Sequence, residues 1–197
     1  MMLSTFMKSI AAVLLFSPAL LLANSHTDKN SVPEKLGFVE WVVMEETGLR
    51  LKARLDTGAK TSSLHAINVE PFKKGEEEWV SFQLPLADHK DQDDADGAEV
   101  DDVILEFNLP VERVVKIKRK GASSQRRYVV IMEFCIAGTS HKTEFSLADR
   151  GKFSYPALLG RRFMSDDNIL IDSSDSFLAE KECEHKSLAE LAESHAD

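Results

Sequence analysis

Between Gly48 and Leu55 the chain alternates strictly, GLRLKARL, with Leu49, Leu51, Ala53 and Leu55 on one side and Arg50, Lys52 and Arg54 on the other. A period of two makes this a half-buried β-strand and excludes an amphipathic helix, whose apolar residues recur every three or four positions. Just before it, GFVEWVVME reads as a second strand, and Thr47-Gly48 forms the turn of a hairpin. WVSFQLPL, VILEFNL and RVVKIKRK are further strand candidates, the last folding back on RRYVVIMEF across GASSQ. The clearest hairpin joins YVVIMEFCIAG to TSHKTEFSLAD, with Gly138 in the turn. After Tyr155-Pro156 come ALLGRRFM and a short apolar strand, NILID. Many short strands with turn signals and little helix describe a closed or sandwiched β domain.

The two ends of the chain read differently. Lys8 followed by the apolar run Ile10–Leu22 and small Ala23 has the shape of a secretory signal cut after Ala23, too short for a comfortable membrane span. An uncleaved N-terminal anchor is the alternative. The expected organisation is therefore a signal peptide over 1–23, a loose mature terminus over 24–35, one folded domain over 36–175 and an acidic tail over 176–197. In the tail, Leu188 and Leu191 stand at helical spacing, which suits a surface helix or a partly disordered segment. The mature chain is expected in the periplasm or outside the cell, with no membrane span once the signal is removed. Cys135 and Cys183 would meet an oxidising setting there, but Cys135 lies in an apolar strand and reads as a buried thiol.

Removing residues 1–23 takes away Lys8 and moves the formal charge from −9 to −10, so nucleic acid is not an expected partner. The charge is uneven. Asp88–Asp102 holds eight acids against Lys90, and Arg113–Arg127 holds seven basic residues and no acid. These blocks read as two solvated loops, or as segments that pair within the fold or between subunits.

No metal motif emerges. The six histidines are scattered, Cys183 and His185 lack further organised ligands, and the acidic run from Asp91 lacks the ligand pattern of a calcium loop. No G-x-S-x-G and no glycine-rich phosphate loop is present. Asp56 remains. It directly follows the alternating strand and precedes Thr57, Gly58 and Ala59, with Thr61, Ser62 and Ser63 beyond. As a plain turn, Asp-Thr-Gly needs only the turn-forming habits of Asp and Gly. As a site, it exposes a carboxylate at a strand end, Gly58 allows close backbone approach, and Thr57 can tie the loop to a twin. Two such carboxylates hold a water, one acting as base while the other, protonated, polarises a carbonyl.

RLDTGAKTSSLHA, the later FSLADR, and YPALLGRRFM followed by NILID together resemble the retropepsin-like bacterial proteins often labelled ATP-dependent zinc proteases. The resemblance covers about Gly37 to Asp172. It implies an all-β fold, a closed acid-protease (retropepsin-like) β-barrel with one short helix after the Gly-Arg segment, here Gly160-Arg161. It implies Asp56 as the catalytic carboxylate, Thr57, Gly58 and Ala59 as its supporting loop, and a flap near Arg113–Arg127. Viral-type retropepsins carry acids shortly after D-T-G-A that brace this arginine. Lys60 and Thr61 stand there instead, so Arg161 requires another partner. Asp172 in ILIDSSDS lacks the glycine of a second catalytic loop and reads as a strand end. One D-T-G per chain then implies a homodimer with two Asp56 carboxylates facing across the axis. The expected activity is an aspartic-type endopeptidase acting on a peptide or protein substrate, without metal or cofactor. Lys60 and the charged insertion motivate an alternative, a non-catalytic peptide-binding or regulatory module on the same fold. Metal-dependent hydrolysis rests on the label alone.

Overall fold

The alternating run becomes β3 (Leu49–Asp56), with Leu49, Leu51, Ala53 and Leu55 buried and Arg54 exposed. The computed structural model describes residues 32–85, 104–119 and 122–194. The expected signal segment and the acidic run Asp88–Asp102 lie outside the described residues. β3 pairs antiparallel with β2 (Val39–Met44), and Gly48 takes φ 78° in the turn between them, a conformation that glycine adopts without a Cβ penalty.

The remaining strands are β1 (Glu34–Gly37), β4 (Ser62–His65), β5 (Ile67–Lys74), β6 (Glu77–Pro85), β7 (Ile104–Pro110), β8 (Arg113–Arg119), β9 (Ala122–Ile136), β10 (Thr139–Ala148), β11 (Ala157–Gly160) and β12 (Ile169–Asp172). Two short helices, α1 (Arg161–Asp166) and α2 (Leu188–Ser194), complete the described elements. The main sheet has the order β10-β4-β11-β3-β2-β9-β8, and β9 also pairs with β10. β5, β6 and β7 form a second, antiparallel sheet, and β1 pairs in parallel with β12. The fold is thus mostly β and retropepsin-like, with the short helix expected after the Gly-Arg segment in place as α1.

The core joins the two larger sheets. Phe82 and Phe107 stack at 5.0 Å between β6 and β7 and belong to the same buried cluster as the leucines of β3. Phe134 meets Phe145 and Phe163 edge-on, at 5.7 and 5.2 Å, so α1 is pinned to the β9–β10 hairpin by an aromatic triad. That hairpin turns through Ala137 and Gly138, both at positive φ, which matches the two-residue turn whose twist suits paired strands.

Three strands escape the alternation pattern. β1 begins in the stretch expected to be loose, 24–35, and its order comes from pairing with β12. β4, Ser-Ser-Leu-His, is buried along its whole length although it holds only one aliphatic residue. β5 carries Pro71 and two lysines and contains an irregularity between Ile67 and Glu70, where Asn68 has φ 49°.

The cysteine reading is corrected. Cys135 is bonded to Cys183 rather than buried as a free thiol. Cys135 ends a sheet strand where the returning chain crosses it, so an apolar neighbourhood did not imply a reduced sulfur. In the tail, expected as a surface helix or a partly disordered segment, residues 176–194 lie against the sheet and end in the short helix α2. Phe177 N–H donates to Val39 O, Leu178 N–H donates to the buried Glu40 carboxylate, and Lys186 N–H donates to Gly48 O. Ser187 and Glu190 cap α2 reciprocally, and Leu191 is fully buried in the core. A bridge across 48 residues of chain restricts the unfolded ensemble strongly. Replacing both cysteines by serine is expected to lower the unfolding free energy by about 2–4 kcal/mol, read by urea denaturation.

Candidate functional site

β3 ends at Asp56, and its parallel neighbour β11 ends at Gly160, directly opposite in register. Both strands therefore release their loops at the same edge of the sheet. The Asp56 carboxylate folds back on its own loop, with Oδ1 accepting from Gly58 N–H at 2.9 Å and Ala59 N–H at 3.2 Å. Asp56 is half-buried, and Thr57 and Gly58 are exposed. A Cβ on Gly58 would lie 3.1 Å from Oδ1, tight enough to disturb the carboxylate. Among the described residues Oδ2 has no hydrogen-bond partner.

The Gly160-Arg161 segment locks this loop from the other side. Arg161 N–H donates to Ala59 O at 2.9 Å, Arg162 N–H to Lys60 O at 3.3 Å, and Gly160 N–H to Ser62 Oγ at 3.1 Å. The partner that Arg161 required is a backbone oxygen, since Nη1 donates to Gly58 O at 3.3 Å. A Cβ at position 160 would sit 2.6 Å from the Thr61 carbonyl carbon, so only glycine fits. Asp172, by contrast, is remote from this loop in function. It ends β12, accepts from the Ser174 hydroxyl and pairs with Lys35 at 2.9 Å, contacts that hold its carboxyl well below the usual range.

Beside the loop opens a groove of about 600 Å³, walled by β8 and β9 on one side and by the residues after Asp56 on the other. Its apolar floor includes Val115, Val129 and Leu158. Among the described residues its charged groups are Lys60, Arg113, Arg127, Arg150 and Arg162, with Glu144 as the one acid lining it. Glu144 accepts from Arg113 Nη2 at 2.6 Å and Nε at 3.3 Å, and Arg162 reaches it at 3.5 Å. The hydrogen bond from Arg113 holds the Glu144 carboxyl below its ordinary 4.5, and outweighs the opposing effect of burial. A lowered folded value means that this pair stabilises the fold above the unfolded pKa and loses its effect as pH falls through the folded one.

Arg150 is 8% exposed. Its backbone N–H donates to His65 Nδ1 at 2.8 Å, its Nε donates to Tyr155 O, and its guanidinium lies over the Phe153 ring. His65 is fully buried and accepts at Nδ1, so Nε2 carries its proton. Burial pushes the Arg150 pKa down, the like charge of Arg127 pushes it the same way, and Asp56 opposes both. Arg150 thus links the groove electrically to the Asp56 loop.

The structure brings Asp56, Thr57, Gly58, Ala59, Gly160 and Arg161 together at one edge of the sheet. The sequence reading did not single out Ser63, Glu144, Arg150 or Arg162 as site residues. A usable signal was present: Arg113, Val115 and Ile117 share one face of an alternating strand inside the basic block, and Arg150 closes the quoted FSLADR. Cys183, considered beside His185 as a metal ligand, is committed to its disulfide.

The sheet, the Asp-Thr-Gly loop and the Gly-Arg segment behind it define a retropepsin-like domain. Residues 35–182 match the RimB-like family model, described as retropepsin-like aspartic endopeptidase RimB, and the chain belongs to that family. A protein of Shewanella pealeana named probable alpha-L-glutamate ligase is 37% identical over 149 residues, covering 74% of this chain and 30% of that protein. A protein of the same name from Parasynechococcus marenigrum is 32% identical, covering 72% of this chain and 28% of its own length. This chain therefore spans less than a third of those relatives. The crystal structure of a Legionella pneumophila protein of unknown function superposes with a TM-score of 0.60 at 27% identity, covering 75% of this chain and 98% of that one.

These relatives overturn the expected activity. The sequence reading gave an aspartic-type endopeptidase, a hydrolase, whereas the curated relatives carry the name of a glutamate ligase. Gly160→Ala tests the architecture of the site. We expect a loss of about 1–3 kcal/mol in urea unfolding, because the Cβ must displace the Thr61 backbone.

Proposed function

We propose that this domain recognises glutamate-rich peptide as the binding module of α-L-glutamate ligation chemistry. The observation that carries the proposal is the cationic groove beside the Asp56 loop, five basic side chains against Glu144. A glutamyl side chain has two methylenes and a carboxylate. The aliphatic floor suits the first, and arginine forks suit the second. Relatives named for ligating glutamate make such a peptide the natural ligand class. The unmatched part of those relatives, more than two thirds of their length, leaves room for ligation to be carried outside the shared segment.

In this reading Asp56 is a ligand-orienting group. Its Oδ1 is held by the loop, and Oδ2 is placed to accept from a backbone N–H or an α-ammonium of the bound peptide. Glu144 keeps Arg113 and Arg162 extended along the groove while it is empty, and a ligand carboxylate competes for the same donors. The ring β10-β4-β11-β3-β2-β9, joined by the β9–β10 pairing, is read as the closed barrel of this fold, which holds the groove wall stiff. Export to an oxidising compartment is part of the same proposal, supported by the Cys135–Cys183 bond.

Isothermal titration with tetraglutamate and tetraglutamine tests the reading. Tetraglutamate should bind and weaken steeply with added salt, and tetraglutamine should not bind. Lys60→Glu combined with Arg162→Glu should cost at least about tenfold in affinity. Equal binding of the two peptides would overturn the proposal. Glu144→Gln should tighten tetraglutamate several-fold by removing the carboxylate that competes for Arg113 and Arg162; an unchanged or weaker affinity would refute the competition.

A further inference from the structure

Ser63 is 7% exposed, and its Oγ has no hydrogen-bond partner. A buried hydroxyl without a partner costs about 1–3 kcal/mol and is uncommon in native folds. Its neighbour behaves differently, since Ser62 Oγ accepts from Gly160 N–H. Ser63 lies on β4 between Ser146 of β10 and Leu158 of β11, and its side chain lines the groove together with Arg150. Arg150 is equally buried. Only its Nε makes a side-chain hydrogen bond among the described residues, to Tyr155 O, so both terminal nitrogens keep their donors for another group. Arg127 lines the same cavity and adds a second positive charge close to Arg150.

Ser63 Oγ is withdrawn from solvent and lacks a partner, and the mostly buried Arg150 keeps its terminal N–H donors open to the same cavity; an anion with at least two oxygens would satisfy both. We infer that Ser63 and Arg150 form a buried subsite for one carboxylate, distinct from the exposed cationic rim. Arg150 supplies its two terminal N–H groups side by side, and Ser63 Oγ donates to the same carboxylate from β4. The Phe153 ring and the Tyr155 carbonyl hold the guanidinium flat and fixed, so the fork is pre-organised before the ligand arrives. The rim attracts any acidic peptide, whereas this subsite selects one carboxylate at one depth. The inference rests on the glutamyl-peptide reading for its ligand class, and on Ser63 and Arg150 alone for its place.

The experiment uses the full chain with tetraglutamate and, separately, glutarate as probes, in wild type, Ser63→Ala and Arg150→Lys. Ser63→Ala removes a hydroxyl that does nothing in the empty fold. Its thermal midpoint should hold or rise while tetraglutamate affinity falls about tenfold. A merely structural serine would move both in the same direction. Arg150→Lys keeps the charge and loses the fork, and should also cost about tenfold. If tetraglutamate binds wild type and both variants alike, the subsite is overturned and the groove reading stands. If tetraglutamate does not bind wild type, the groove reading falls, and glutarate decides the subsite. Glutarate binding that Ser63→Ala abolishes supports it; absent or variant-insensitive glutarate binding overturns it.

Discussion

The backbone of Gly160 lies against the backbone of Thr61, and the geometry of the site depends on that approach. Parallel pairing of β3 with β11 brings Asp56 level with Gly160, and three hydrogen bonds from residues 160–162 then fasten the loop over 59–62. None of these contacts involves a large side chain. Two join backbone groups and the third ends on the Ser62 hydroxyl, so donors and acceptors that would otherwise be left without partners at two strand ends satisfy one another. α1 continues from this junction and buries Phe163 against Phe134, so the loop is anchored to the aromatic core by a path of about one helical turn. The Asp56 carboxylate is consequently placed by the sheet rather than by a mobile loop.

What the sequence made legible follows from which residues report on themselves. β3, β6, β7, β9 and β10 carry period-two patterns, because one face of each meets the core and the other is more open to water. The Asp56 loop and the Gly160-Arg161 segment were legible because glycine, where only glycine fits, leaves a mark in the sequence. β4 left none. Its residues are buried on both sides by neighbouring strands, and Ser-Ser-Leu-His has no alternation to show. β1 was illegible for the opposite reason, since four residues pair with β12 across more than 130 positions of chain and nothing local demands a strand. The disulfide was hidden likewise. Cys135 has an apolar strand around it, and the tail that reaches it is polar.

Function was the least legible level. A fold can host unrelated activities, and the Asp-Thr-Gly loop suggested one activity through resemblance, while relatives sharing the same segment are named for another. The groove is the better witness because its chemistry is assembled from five separate parts of the chain, Lys60 coming from the loop after β3. Arg113 comes from β8, Arg127 from β9, Arg150 from the turn after β10, and Arg162 from α1. No single motif contains this cluster, so only the topology displays it.

The net charge alone argues against an acidic ligand, for a chain at −9 should repel a polyanion. The two effects act over different distances. Repulsion from dispersed surface acids is screened beyond about 8 Å at physiological ionic strength, whereas a carboxylate inside the groove sits within contact of several guanidinium groups shielded from salt. Desolvation strengthens those short contacts further, since Arg150 is buried and Arg113 is half-buried. In the proposed reading, an acidic protein with a cationic groove would exclude polyanions from most of its surface and admit them at one place, the overall charge supplying selectivity of position and the groove the affinity.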